Sequence, residues 1–88
     1  MDAPGQVILY VVPNCPLCSQ ARTWLEACDV EYVERDVAAD WGALRSMFEL
    51  TRQRLVPVIE QNGRAIVRPT ESELHQFLDR HDEVIPEG

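Results

Sequence analysis

Lysine is missing from this chain of 88 residues: all eight bases are arginine, against fifteen aspartates and glutamates. The net charge of −7 leaves no basic face of the kind that nucleic acid or an anionic membrane demands, so neutral or basic partners are expected. Long apolar runs are missing too. The longest, Val7 to Val12, is six residues, where a membrane span needs about 20. The opening Met-Asp-Ala-Pro-Gly has neither a basic region nor an apolar stretch of secretory type, which makes a cytoplasmic location the expectation. Cysteine is sparse and odd in number, at three, so the chain carries no disulfide framework of the secreted kind. Repeats, linkers and low-complexity segments are absent as well.

What is present is an ordinary globular composition, 45% apolar and 26% charged. The length suits one domain over residues 1–88, with a core from about 6 to 81 and a short acidic tail from Asp82, and a monomer is expected. Gln6 to Val12 is rich in β-branched residues, holds an aromatic and is continuously apolar from Val7, as a strand buried on both faces should be. Pro16 then opens a helix whose apolar stripe is Leu17, Ala21, Trp24, Leu25 and Cys28. Glu31 to Val37 predicts a second strand. Asp40 predicts an N-cap, with Trp41, Leu44 and Phe48 on one face of the helix that follows. The Val56–Ile59 and Ala65–Val67 runs flank Gln61-Asn62-Gly63, a strong hairpin signal because both Asn-Gly positions must take positive φ. Thr70 and Glu73 have capping-box spacing and open a last helix. The order β-α-β-α-β-β-α predicts an α/β fold: a four-stranded mixed sheet with helices on both faces.

The chemistry is expected where the first strand meets the first helix. Cys15-Pro16-Leu17-Cys18 places two thiols at positions i and i+3, with Cα atoms about 5–6 Å apart and so within reach of a disulfide. Orphan N–H groups and the positive end of the macrodipole favour a thiolate at Cys15, while Cys18 lies deeper along the helix. One sulfur is thus placed to attack and the other to resolve. Pro57 interrupts a run that otherwise reads as a central strand, where proline is normally excluded. A proline opening that strand in the cis form accounts for it, and leaves the Val56 main chain to pair with an extended substrate segment.

The runs Ile8–Cys18, Leu55–Ile59 and Asn62-Gly63 together resemble the glutaredoxin family of the thioredoxin fold, over about residues 6 to 80. The resemblance implies a three-layer sandwich and a cytoplasmic dithiol oxidoreductase. It implies Cys15 as exposed nucleophile, Cys18 as resolver, Pro57 as the cis proline beside them, and Val56 as offering its backbone to substrate; Pro16 and Leu17 complete the substrate-facing loop. Three features depart from the family: Val12 where a lysine is usual, Leu17 where an aromatic is common, and Val67-Arg68-Pro69-Thr70-Glu71 where paired glycines and an acid hold glutathione. The electron donor therefore stands open between glutathione, as co-substrate, and a thioredoxin-reductase-type flavoenzyme. No bound cofactor is expected.

Other residues have plainer expectations. A zinc site needs four ligands and one C-x-x-C supplies two, so no metal is expected. Cys28, Trp24, Trp41 and Phe48 are expected in the core, and His75 and His81 at the surface. Arg52, Arg54 and Arg68 flank the Val-Pro turn and the hairpin, where Arg54 and Arg68 are candidates to hold a substrate carboxylate, and Arg54 to favour the Cys15 thiolate. The expected activity is reduction of disulfides in partner proteins. The alternative is a thioredoxin-fold redox sensor or binding module without turnover.

Overall fold

The computed structural model describes residues 5–83, and side chains through residue 78. Four strands and three helices alternate as β1 (Val7–Val11), α1 (Pro16–Ala27), β2 (Tyr32–Asp36), α2 (Trp41–Thr51), β3 (Val58–Gln61), β4 (Arg64–Val67) and α3 (Glu71–Glu83). The element order matches the expectation; β1 and β2 are each a residue shorter at both ends, while β3 starts later and both hairpin strands extend further toward the Asn62-Gly63 turn. The sheet order is β2-β1-β3-β4, with β1 and β2 parallel and the other neighbours antiparallel. His81 and the acidic tail fall among residues whose side chains or placement lie outside the described part.

Every residue of β1 is buried, which requires cover on both faces of the sheet centre. α2 packs against β2 and β4. The buried residues of α1 (Cys18, Ala21, Leu25) and α3 (Leu74, Phe77, Leu78) join the same core. The buried Tyr10 hydroxyl donates to Glu60 at 2.7 Å, and Arg35 lies over the Tyr10 ring; the buried Gln61 amide donates to the Gly5 carbonyl at 2.8 Å, while its Oε1 has no partner among the described residues. β2, at one edge, carries Glu34, Arg35 and Asp36, charges that discourage pairing with another chain.

Local chemistry sets the boundaries. Asp40 accepts from the Ala43 N–H, and Thr70 and Glu73 exchange both bonds of a capping box, at 3.1 and 2.9 Å. α1 ends in a Schellman arrangement: Asp29 turns left-handed, its N–H bonds Glu26, and the Val30 N–H reaches back to Leu25. Asn62 and Gly63 both take positive φ and join β3 to β4.

The aromatic face of α2 is a correction. Trp41 is 75% exposed and Phe48 is also exposed, whereas Ala43 and Met47 face the core. The small Ala43 lets the helix approach the sheet more closely than a tryptophan face would. Cys28 is half-buried at the C-cap of α1 rather than deep in the core, and Trp24 is half-buried beside it. Urea denaturation separates the two faces of α2. Met47→Ala should cost about 2–5 kcal/mol, whereas Trp41→Ala should change stability by less than about 1 kcal/mol.

Candidate active site

Three pieces of chain meet at the C-terminal end of β1. The antiparallel register pairs Tyr10 with Val58, so Val56 and Pro57 run alongside the residues that leave β1 for α1. Asn14 turns the chain with φ of 58°, a conformation asparagine tolerates, and Pro16 occupies the first turn of α1, where a missing N–H costs nothing.

Cys15 is the N-cap. Its backbone is extended, its carbonyl accepts from the Ser19 N–H, and its Sγ accepts the Cys18 N–H at 3.1 Å. A sulfur here does what a serine or aspartate oxygen does at other helix starts. Cys15 is half-buried and Cys18 only 1% exposed. Burial, and a hydrogen bond to the Cys15 sulfur, push the Cys18 thiol up to about 11. A Val12 backbone hydrogen bond and the Arg22 charge act weakly the other way. Of the two neighbouring thiols, one is therefore reachable and one shielded.

A groove of about 100 Å³ lies between α1 and the Pro57 turn, lined by Leu17 (which stands between the two cysteines in sequence), Gln20, Trp24, Pro57, Arg68 and Pro69. Leu17, expected on the buried stripe of α1, is 45% exposed and faces this groove, and Cys18 takes the buried position instead. The Val56–Pro57 peptide bond is cis and Pro57 is buried.

The arginines divide. Arg68 reaches the site: its Nε donates to the Val56 carbonyl at 2.7 Å and its N–H to the Pro57 carbonyl at 2.9 Å. The Val56 carbonyl, expected to be available to substrate, is thus engaged within the chain. Arg68 does this from a left-handed backbone (φ 46°), a region that costs a side-chain-bearing residue about 1–2 kcal/mol. Arg54 instead lines a separate cleft against α2, with Trp41 and Phe48, so its expected part in favouring the Cys15 thiolate has no support in this geometry. Arg52 is the left-handed C-cap of α2. His75 lies exposed beside Glu71.

Arg22 was not singled out in the sequence. It sits one turn beyond Cys18, contacts the Ser19 hydroxyl, and holds both carboxylate oxygens of Glu34 on β2. Its i+4 spacing from Cys18 was the available signal, and the pairing across to β2 was not.

A mixed sheet of this order, with paired thiols at the head of its first helix and a cis proline opposite, defines a thioredoxin-fold protein of the dithiol kind. The chain belongs to the glutaredoxin family, whose family model, Glutaredoxin, matches residues 7–66. A glutaredoxin-like 8.6 kDa protein from the rubredoxin operon of Clostridium pasteurianum is 29% identical over 72 residues, 82% of this chain and 96% of that one. The global transcriptional regulator Spx of Bacillus subtilis is 28% identical over 80 residues, 91% of this chain; the chain spans 56% of that regulator's length. Among solved structures, a mutant of the thioredoxin-like protein BC3987 superposes with a TM-score of 0.77 at 25% identity, covering 83% of this chain and 99% of its own. A glutaredoxin from Archaeoglobus fulgidus shares the fold, with a TM-score of 0.75 at 16% identity, covering 82% of this chain and 84% of that one.

Two measurements check the geometry. A thiol titrating near 11 is about one part in a thousand thiolate at pH 8, so peptide mapping after iodoacetamide should find Cys15 labelled well before Cys18. Comparable labelling of Cys18 at pH 8 would show that it is not shielded. At position 68, Arg68→Ala should be less stable in urea than Arg68→Gly by about 1 kcal/mol, because only glycine takes the left-handed backbone freely.

Proposed function

We propose that the protein is a dithiol thiol–disulfide oxidoreductase, with Cys15 as nucleophile and Cys18 as resolving thiol. The Cys18 N–H···Sγ contact at 3.1 Å carries this reading, because it holds a reachable sulfur against a buried partner thiol. The Cys15 thiolate attacks one sulfur of a partner's disulfide; that S–S bond breaks and the other partner sulfur leaves as a thiolate. Cys18 then loses its proton as it attacks Cys15 Sγ, forming the Cys15–Cys18 disulfide and releasing the second partner thiolate. Two electrons pass to the partner in all; the proton lost by Cys18 goes to one partner thiolate, and the other takes its proton from water. With its thiol pushed up to about 11, Cys18 stays protonated until that second step.

The groove supports a protein as both substrate and donor. At about 100 Å³ it lies below the range of about 300–1,000 Å³ typical of small-molecule sites, and suits one side chain of a docked protein. Arg68, the one lining cation among the described residues, is already bonded to Val56, whereas glutathione brings two carboxylates. A thioredoxin-reductase-type flavoenzyme is therefore the donor of choice, in a reducing compartment such as the cytoplasm. Leu17, Pro57 and Pro69 supply apolar contact, and Pro16 stands exposed at the head of α1. Similarity to the Spx regulators favours a second reading, a sensor oxidised once and without turnover.

NADPH consumption tests this in two coupled assays with a protein disulfide as final acceptor, one through a thioredoxin-reductase-type flavoenzyme and one through glutathione and its reductase. Sustained turnover is expected in the flavoenzyme arm, abolished in Cys15→Ser and halted at a trapped mixed disulfide in Cys18→Ser. Turnover through glutathione alone would overturn the donor assignment. One stoichiometric oxidation in both arms would replace the oxidoreductase by the sensor.

A further inference from the structure

α2 presents a second apolar face to solvent. Trp41, Leu44 and Phe48 stand at i, i+3 and i+7, and with Arg45 and Arg54 they line a cleft of about 380 Å³, against about 100 Å³ for the groove between α1 and the Pro57 turn. The large apolar stripe of this helix thus lies in a wall of the cleft, with Leu44 reaching the edge of the core and Trp41 three-quarters exposed. Exposed tryptophan flanked by arginine is the composition that dominates binding energy at protein interfaces.

The charges say what covers it. In a chain of net −7, the cleft walls hold two guanidiniums and, among the described residues, no carboxylate. Arg45 has only a loose partner, Glu49 at 3.8 Å, with both side chains open to water, so its charge is not spent on that pair. A second copy of the chain fits poorly, because it would set arginines against arginines between two bodies of the same net charge. A segment bearing carboxylates and apolar side chains fits both features. Position matters as well. Arg54, in the cleft wall, is two residues from Val56, so about 7 Å of extended chain joins the cleft to the cis-proline wall of the Cys15 site.

We propose that the α2 cleft docks an acidic, apolar segment of the redox partner protein, placing the partner's disulfide over Cys15. Docking stands on the cleft alone; the placement over Cys15 rests on the exchange reading above. The partner's leucine- or phenylalanine-like side chains enter between Trp41 and Phe48, and its carboxylates meet Arg45 and Arg54.

A cysteine-free probe separates the two parts. It is a labelled helical peptide of about fourteen residues, roughly four turns, with leucines along one face and glutamates elsewhere, compared with its lysine counterpart by fluorescence anisotropy. The glutamate peptide should bind the wild-type chain and the lysine peptide should not. Trp41→Ser should weaken binding about tenfold or more. The Arg45→Glu/Arg54→Glu variant should reverse the preference toward the lysine peptide, a gain that misfolding cannot mimic. Absence of glutamate-peptide binding, or binding indifferent to both variants, overturns the docking site. The same peptide extended by a cystine should then be reduced with a lower KM than one lacking the leucine–glutamate arm. Tight binding without reduction leaves the docking site intact and sinks the exchange chemistry; reduction with no effect of the arm does the reverse.

Discussion

One hydrogen bond organises this molecule's chemistry: the Cys18 N–H donated to the sulfur of Cys15. At the start of a helix several amides lack partners, and a side chain must satisfy them. A serine or aspartate here would cap α1 equally well and leave the site without its reachable thiol. With a sulfur as the cap, the act of starting the helix also fixes a reactive atom at its positive end. The same geometry sets the second thiol one turn on, where β1 and α1 enclose it. Reach and shielding thus come from a single structural event, and burial holds Cys18 in its neutral form.

Around that bond, the arginines of an acidic chain are each placed for a separate task. Arg22 is tied to Glu34 and links α1 to β2 just behind the buried thiol. Arg68 tolerates a left-handed backbone in order to tie the end of β4 to the chain on either side of the Val56–Pro57 bond. Arg45 and Arg54 stay outside, in the cleft of α2. The planar, always-charged guanidinium suits all three settings: two oxygens of one carboxylate, a main-chain carbonyl, and an open apolar wall. A lysine offers a point charge without the paired donors that the first setting uses.

What the sequence made legible was local. Cys15 and Cys18, Asp40 with Ala43, Thr70 with Glu73, and Asn62 with Gly63 all act within three residues of one another, so spacing alone exposes them. The sheet followed from the strand pattern and the asparagine–glycine turn. Contacts between residues twelve apart, Arg22 with Glu34 and Arg68 with Val56, depend on how elements lie side by side and had no local trace. The inversion of α2 has a similar origin. Its sequence offers two apolar stripes, one large (Trp41, Leu44, Phe48) and one small (Ala43, Met47), and close packing on the sheet selects the small one. Choosing the larger stripe for the core was the natural reading of hydrophobicity and the wrong one for shape.

The proposed dithiol chemistry requires Cys15 and Cys18 to interconvert as one two-electron couple. The most direct measurement is intact-mass and peptide-mapped redox titration, with the protein equilibrated across a ladder of oxidised and reduced dithiothreitol. A single transition is predicted, with loss of two hydrogens, about 2 Da, mapped to the Cys15–Cys18 pair and absent from Cys18→Ser. A transition that maps to Cys28, or oxidised protein that accumulates only as intermolecular disulfides, would contradict it.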